Sequence, residues 1–119
     1  TGYVEGKQKS QLLKENDFFI LFSHAEGMPT SVVEAISFGM PVFGSKVGAL
    51  PDFFKDYSHG RLYDLPIDPL LFMEEVKAMV ENIELRKFMS EFCYDYGAAR
   101  FKASRIAKSN LKYYETLIN

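Results

Sequence analysis

The sequence contains no tryptophan and a single cysteine, Cys93, among its 119 residues. One cysteine cannot form a disulfide within the chain, which excludes a small disulfide scaffold and favours a reducing, cytoplasmic location. No apolar run approaches the roughly 20 residues needed to cross a bilayer. Neither sign of charge is in large excess, because 14 Lys and Arg stand against 16 Asp and Glu, giving a net charge of −2. A protein that binds polyanions through bulk positive charge is therefore not expected.

Apolar and aromatic residues are plentiful instead. The chain is 47% hydrophobic and 25% charged, which is the ordinary balance of a globular domain. Without tryptophan, the eleven Phe and seven Tyr must supply the large side chains of the core. The length allows one domain and not two.

Short apolar segments alternate with amphipathic ones, a pattern that predicts an α/β fold with parallel strands. Asp17 to Phe22 includes five consecutive large apolar residues, which predicts a strand covered on both faces. Asn16 is expected to end the preceding helix in the left-handed conformation. Asp68 and Pro69 form a helix-start signal, since Asp caps helices and Pro suits their first turn. Strands are predicted over 17–22, 40–44 and 60–63. Helices are predicted over 7–15, between the loop residue Pro29 and the stop at Gly39, over 51–55 and from Asp68 onwards.

The C-terminal part is predicted to be wholly helical, because three apolar stripes follow Asp68 at helical spacing. Phe38 is also expected on the buried side of its helix. Three or four strands are fewer than the five or six of most doubly wound sheets, so we expect the chain to begin in the middle of a domain, as a piece of a larger protein. The stripes comprise Phe72, Val76, Met79, Val80 and Ile83; then Leu85, Phe88, Met89, Phe92 and Tyr96; and then Ala99, Ala103, Ile106, Asn110, Tyr113 and Leu117.

Residues 22–35 combine the end of a strand, a loop with Gly27 and Pro29, and the start of a helix. Open α/β sheets bind ligands at the carboxyl ends of their strands, so this loop predicts a binding site. Amides near Thr30 and Ser31 would lie unpaired at the positive end of the helix dipole, where a phosphate is favoured. Gly27 would let the backbone approach a ligand closely.

Glu26 and Glu34 flank this helix start, eight residues apart. Each carboxylate can accept hydrogen bonds from two adjacent hydroxyls, which suits a sugar or a ribose. A structural interpretation competes with this one. Ser31 and Glu34 fit a capping box, in which Ser31 is the N-cap residue and the Glu34 side chain accepts from its backbone amide, and Glu26 can be an ordinary solvated acid. The local pattern leaves both interpretations open.

Residues 22–54 resemble the donor-binding domain of GT-B glycosyltransferases, in particular the large retaining group called family 4. The two glutamates have that family's E-x7-E spacing. Phe22, Ala49 and Asp52 depart from the pattern, where the family usually has Pro, Gly and Glu. Gly2-Tyr3-Val4 and the helix after it resemble a family segment that borders the nucleobase. The shared elements are Ser23, Glu26-Gly27-Met28-Pro29, Glu34-Ala35, Gly39-Met40-Pro41-Val42 and Val47-Gly48-Ala49-Leu50-Pro51-Asp52.

The resemblance implies a partial Rossmann-like doubly wound parallel sheet, the C-terminal half of a GT-B fold, with C-terminal helices. Residues 1–119 would be the nucleotide-sugar-binding domain, truncated at its N-terminus and without the acceptor domain. The implied reaction transfers a glycosyl group from a UDP-, GDP- or ADP-sugar to a saccharide or lipid-linked acceptor, with retention of configuration. This chain alone is expected to be inactive.

The resemblance also assigns residues to the donor. Glu26 would contact the transferred sugar as the catalytic residue, and Glu34 would bind the ribose hydroxyls. Amides of Gly27 and Met28 would face the sugar, and those of Thr30 and Ser31 the diphosphate. Such enzymes act largely without a metal. Neither a metal nor a cofactor is therefore expected, and the two histidines and the cysteine lie too far apart in sequence for a zinc site.

Two other functions share the same fold class. A nucleotide-sugar epimerase of GT-B fold is disfavoured by the E-x7-E spacing, and a non-catalytic interaction module by the intact pair of acids.

A basic face formed by Arg105, Lys108 and Lys112 on the final helix predicts a solvated surface. Attraction to anionic lipid at the inner face of a membrane is the alternative, although three charges are too few for stable attachment. Cys93 is expected to be a packed thiol and His59 a turn residue.

Overall fold

A computed structural model of the chain describes residues 2–118, so that Thr1 and Asn119 of the predicted domain lie outside the described residues. Parallel strands alternate with helices, as the sequence predicts. The strands are β1 (Phe19–Leu21), β2 (Val42–Ser45) and β3 (Gly60–Tyr63). The helices are α1 (Gly6–Glu15), α2 (Thr30–Ser37), α3 (Leu50–Phe53), α4 (Pro69–Glu81), α5 (Ile83–Arg100) and α6 (Ala103–Ile118).

The sheet has the order β1-β2-β3, and both neighbouring pairs are parallel. Val42 lies opposite Phe19 on one side and opposite Gly60 on the other. A side chain at Gly60 is impossible here, because a Cβ atom would lie 1.9 Å from the Val42 carbonyl oxygen. The central strand β2 is buried along its whole length. Because β1 and β2 are parallel neighbours, their carboxyl ends lie side by side at one edge of the sheet.

Helices cover both faces of the sheet, so the doubly wound arrangement is confirmed. On one face α2 and α5 pack against β2 and β3; on the other α4 and α5 do so. This division follows from the alternation of side chains along each strand. The first core cluster contains Val32, Ala35, Ile36, Val42, Leu62 and Cys93, and the second contains Phe43, Tyr63, Met79 and Met89.

Strand β1 is shorter and less covered than the sequence predicts. It has three residues, and the Ile20 side chain is 53% exposed. Phe19 and Leu21 pack against the α2 face. The prediction of cover on both faces is wrong because β1 lies at the edge of the described sheet, and the second core is centred on β2 and β3.

The helix ends show one confirmed cap and one correction. Asp68 caps α4 as predicted, because its Oδ1 accepts a hydrogen bond from the Leu70 amide at 2.9 Å. Asn16 does not take the left-handed conformation at the end of α1, since its φ is −112° and its ψ 150°. Instead its side-chain amide donates to the Leu12 carbonyl at 2.7 Å, and the chain continues extended into β1.

Part of the predicted apolar stripes stays on the surface. Within α6, Ile106, Tyr113 and Leu117 are all exposed, so this stripe is present but does not join a core cluster among residues 2–118. Four more residues that were predicted on buried sides of helices are instead exposed: Phe38 by 39%, Val80 by 45%, Ile83 by 53% and Phe88 by 51%.

None of the described helices is both long enough and apolar enough to span a membrane.

Candidate functional site

Two loops meet at the carboxyl edge of the sheet. Residues 22–29 join β1 to α2, and residues 46–49 follow β2. The Ala49 amide donates to the Gly27 carbonyl at 2.9 Å, which fixes one loop against the other. Gly48 makes this approach possible: its φ is +58°, and a Cβ atom there would lie 2.1 Å from the Gly27 carbonyl oxygen. The predicted binding loop is therefore held by a neighbouring loop and not free in solvent.

A chain of hydrogen bonds orients Glu26. Ser45, the fully buried last residue of β2, accepts a hydrogen bond from the Ser23 amide at 2.9 Å and donates to the Ser23 carbonyl at 2.7 Å. The Ser23 hydroxyl then donates to Glu26 Oε1 at 2.7 Å. Sequence reasoning missed the role of Ser45. A polar residue at the end of an otherwise apolar buried strand is the signal that could have found it.

Glu34 lies one turn into α2 and pairs with α1. Its Oε1 is 2.9 Å from Lys9 Nζ, and the side chains of Glu34 and Lys9 are 40% and 38% exposed. The hydrogen bond to Glu34 raises the pKa of Lys9 above its ordinary value. Sequence reasoning did not identify Lys9, because a charge 25 residues away on another helix leaves no local pattern.

The capping-box interpretation of Glu34 is wrong. Helix α2 begins at Thr30, its N-cap position is Pro29, and no side chain caps it. Ser31 thus lies inside the helix and cannot be the N-cap residue that the motif requires. With Glu34 directed to Lys9, the carboxylate is available for a role other than capping.

The start of α2 presents unpaired amides. The amides of Val32 and Val33 both donate to the Pro29 carbonyl, at 3.1 and 3.4 Å. Those of Thr30 and Ser31 come before them, and no acceptor for either is found among residues 2–118. Such amides at a helix start carry partial positive charge and attract anions. The amides of Thr30 and Ser31 are therefore free to donate to an anion, as the prediction of a phosphate site at this segment requires.

Gly27 and Met28 lie on the outer side of the loop. Nothing in the described structure would touch a Cβ atom at Gly27 within 4 Å, and the Met28 side chain is 44% exposed. Both residues are accessible to a ligand, although neither makes a side-chain contact that identifies one.

A groove of 330 Å³ separates α1 from α2 and β1. Lys9, Ser31 and Glu34 contribute its charged and hydroxyl groups, so the ion pair between α1 and α2 lies in the same groove. The structure does not give Glu26 and Glu34 a common partner, since one binds Ser23 and the other Lys9. The apolar lining consists of Val4, Leu12, Leu13, Phe18, Phe19 and Met40.

The histidines and the cysteine are not gathered into a site. His59 lies in a turn, as predicted, but is fully buried, and its Nδ1 accepts a hydrogen bond from the Lys55 amide at 2.9 Å. Burial lowers the pKa of His59 to about 4. Cys93 is a packed thiol, as predicted, and burial raises its pKa to about 12. Among residues 2–118, no three His, Cys, Asp or Glu side chains are grouped to hold a metal.

Comparison with known proteins finds one matching family model and several related sequences. Residues 1–95 match the family model described as glycosyl transferases group 1. Over 117 residues the chain is 29% identical to the "Putative teichuronic acid biosynthesis glycosyltransferase" of Bacillus subtilis, covering 98% of this chain and 30% of that protein. It is 27% identical over 110 residues to the sulfoquinovosyl transferase of Arabidopsis thaliana, covering 86% and 22%. The N-acetyl-alpha-D-glucosaminyl L-malate synthase of Bacillus anthracis is 25% identical over 114 residues, with 94% and 29% covered.

The chain thus spans less than a third of the length of these curated relatives. Among solved structures, it is similar to the C-terminal domain of a glycosyl transferase group 1 family protein from Francisella tularensis, with a TM-score of 0.70 and 22% identity. That similarity covers 87% of this chain and 53% of the other. The parallel sheet and its helices therefore have the fold of a GT-B C-terminal domain.

Proposed function

The chain belongs to the glycosyl transferases group 1 family, and from that premise we propose that it is the donor-binding part of a retaining glycosyltransferase. The proposed donor is a UDP-, GDP- or ADP-sugar, and the acceptor a saccharide or a lipid-linked saccharide. The names of the relatives include different sugars, so no single sugar is proposed. A cytoplasmic location is proposed from the single, buried Cys93.

The nucleotide would lie along α2. In the proposal, Glu34 accepts hydrogen bonds from the ribose hydroxyls, and the unpaired amides of Thr30 and Ser31 bind the diphosphate. The groove beside α1 would border the nucleobase. Its apolar lining suits one face of a flat ring, and Glu34 in the same groove would keep the ribose next to it.

The sugar would lie over the loop before α2. Glu26 would contact its hydroxyls, while the amides of Gly27 and Met28 would face the same group. Transfer separates a sugar of oxocarbenium character from a leaving nucleoside diphosphate. The α2 amides would stabilise that leaving group, since fixed donors aimed at developing charge lower the barrier. Neither a metal nor a cofactor takes part in the proposed reaction.

One observation carries the proposal: the oriented carboxylate of Glu26 lies close in the chain to the unpaired amides of Thr30 and Ser31 at the start of α2. Glu26 receives a hydrogen bond from Ser23 three residues earlier, and Thr30 begins the helix four residues later. A nucleotide sugar needs a hydroxyl acceptor beside a diphosphate donor set, and this loop supplies both.

The test is titration of the protein in its full natural length with UDP, GDP and ADP, and then with sugars attached to whichever nucleotide binds. We expect one nucleotide to bind and its sugar conjugate to be consumed when an acceptor is supplied. Saturation-transfer NMR detects the binding, and chromatography of the product gives its anomeric configuration. Failure of all three nucleotides to bind, or an inverted product, would overturn the proposal.

A further inference from the structure

We infer that Lys9 is a positioning residue for ribose recognition, holding the Glu34 carboxylate in place across the gap between α1 and α2. The inference rests on the proposed function, in which Glu34 binds the ribose. It goes further by assigning a use to an ion pair that joins two helices beside the groove.

The geometry of the pair leaves part of the carboxylate free. Lys9 Nζ approaches only Oε1 of Glu34, at 2.9 Å. No described donor reaches the second oxygen of Glu34 among residues 2–118. A carboxylate has about four lone-pair positions, so a pair to one oxygen does not prevent binding of two ribose hydroxyls. Lys9 can therefore stay in place while Glu34 binds its ligand.

A fixed carboxylate is worth more to a ligand than a mobile one. Glu34 is 40% exposed, and a free Glu side chain loses rotamer freedom when it is ordered. The ion pair to Lys9 orders it before the ligand arrives, which removes part of that cost from binding. Exposed ion pairs contribute little to folding, so the effect of Lys9 is expected in affinity and not in stability.

Lys9 stays positively charged under ordinary conditions. The hydrogen bond to Glu34 raises its pKa, and the negative charges of Glu34 and Glu5 act in the same direction. One of its three N–H groups is used by Glu34. A direct contact between Lys9 and the nucleotide is therefore the competing account, and the experiment must separate the two.

The experiment is a double-mutant cycle on the protein in its full natural length. UDP, GDP and ADP are titrated by calorimetry, and the one that binds is compared with its 2′-deoxy analogue. The variants are Lys9→Met, Glu34→Gln and the double variant. Lys7→Met is the matched control, because it removes the same charge from an exposed position of α1 that forms no ion pair among residues 2–118.

We expect Lys9→Met to weaken ribonucleotide binding about two- to fivefold and to lower the ratio of ribonucleotide to deoxynucleotide affinity. In the Glu34→Gln background, Lys9→Met should add nothing. The nucleotide affinities of Lys7→Met should equal those of the wild type, and the melting temperatures of all variants should be unchanged. Equal loss with both nucleotides, or the same loss in the Glu34→Gln background, would mean that Lys9 acts directly or through the fold, and would overturn the inference. No loss on Lys9→Met would also overturn it. An unchanged affinity in Glu34→Gln itself would instead contradict the proposed function.

Discussion

The buried hydroxyl of Ser45 binds both backbone polar groups of Ser23, accepting from its amide at 2.9 Å and donating to its carbonyl at 2.7 Å. One side chain at the end of β2 thus replaces the strand pairing that β1 loses after Leu21. Because the Ser23 hydroxyl in turn binds Glu26, the position of the candidate catalytic carboxylate is tied to the sheet.

Ser45→Ala should therefore lower both stability and transfer. The substitution leaves the partly buried amide and carbonyl of Ser23 without their partner, which costs about 1–3 kcal/mol per unsatisfied group. Denaturant unfolding measures this loss. Ser37→Ala is the control, since it removes one hydroxyl hydrogen bond within α2, to the Val33 carbonyl at 2.8 Å. An equal or smaller loss for Ser45→Ala than for Ser37→Ala would contradict this account.

Glu34→Gln tests the ribose assignment. A charged acceptor gives stronger hydrogen bonds than an amide, and such a bond contributes roughly 1.5–3 kcal/mol, or about ten- to hundredfold in affinity. We expect this loss in calorimetric titration of the nucleotide, with little change in melting temperature because both side chains of the pair to Lys9 remain partly open to solvent. Glu15→Gln, an exposed acid on α1, is the control. Loss of stability without loss of affinity would assign Glu34 a purely structural role.

Glu26→Gln should separate the sugar from the nucleotide. The proposal places Glu26 against sugar hydroxyls, so the variant should bind the bare nucleoside diphosphate normally. It should bind the nucleotide sugar more weakly or transfer it more slowly. Titration with both ligands and a single-turnover assay measure the difference. If the bare diphosphate loses affinity as much as the nucleotide sugar, Glu26 does not act on the sugar.

Gly48→Ala should damage the site, whereas Gly27→Ala should be tolerated by the fold. A Cβ atom at Gly48 would lie 2.1 Å from the Gly27 carbonyl oxygen, at a φ of +58° that disfavours side chains. A Cβ atom at Gly27 would contact nothing described within 4 Å. Melting temperatures of the two variants should therefore differ, with Gly48→Ala the lower. Similar values for both would mean that the two loops are not held together as described.

The sequence predicted those features that depend on neighbours in the chain. Strand β3 over Gly60–Tyr63 and the cap at Asp68 were predicted correctly, because turn glycines, apolar runs and capping residues act over a few positions. The loop between β1 and α2 was placed correctly for the same reason. Ligand-binding loops follow strands, and Gly27 and Pro29 mark one.

Features that depend on distant parts of the chain could not be predicted. The Lys9–Glu34 pair joins residues 25 positions apart, and the burial of Ser45 depends on its place in the central strand. The exposure of Ile20 follows from the edge position of β1, which no local pattern reveals. Apolar periodicity likewise predicted the stripe on α6 but not which element packs against it, because a periodic pattern identifies only the apolar face of a helix.

His59 gives a prediction about pH. Burial lowers its pKa from 6.5 to about 4, and Nδ1 accepts the Lys55 amide hydrogen, so the neutral ring carries its proton on Nε2. Nε2 is buried without a hydrogen-bond partner among residues 2–118, and the ring lies 4.5 Å from that of Tyr96, centroid to centroid. The unfolded chain binds a proton at His59 near pH 6.5, whereas the folded chain does so only near pH 4.

Stability should consequently fall as the pH drops from about 6.5 to about 4, because the unfolded state takes up the proton first. A pKa difference of this size corresponds to a loss on the order of 3 kcal/mol by pH 4. Denaturant unfolding between pH 7 and pH 4 measures the slope for the wild type, His59→Asn and the exposed-site control His24→Asn. His59→Asn will itself be destabilised by the loss of packing, so the slope and not the absolute stability is compared. A slope in His59→Asn as steep as in the wild type and in His24→Asn would show that other groups cause the acid sensitivity.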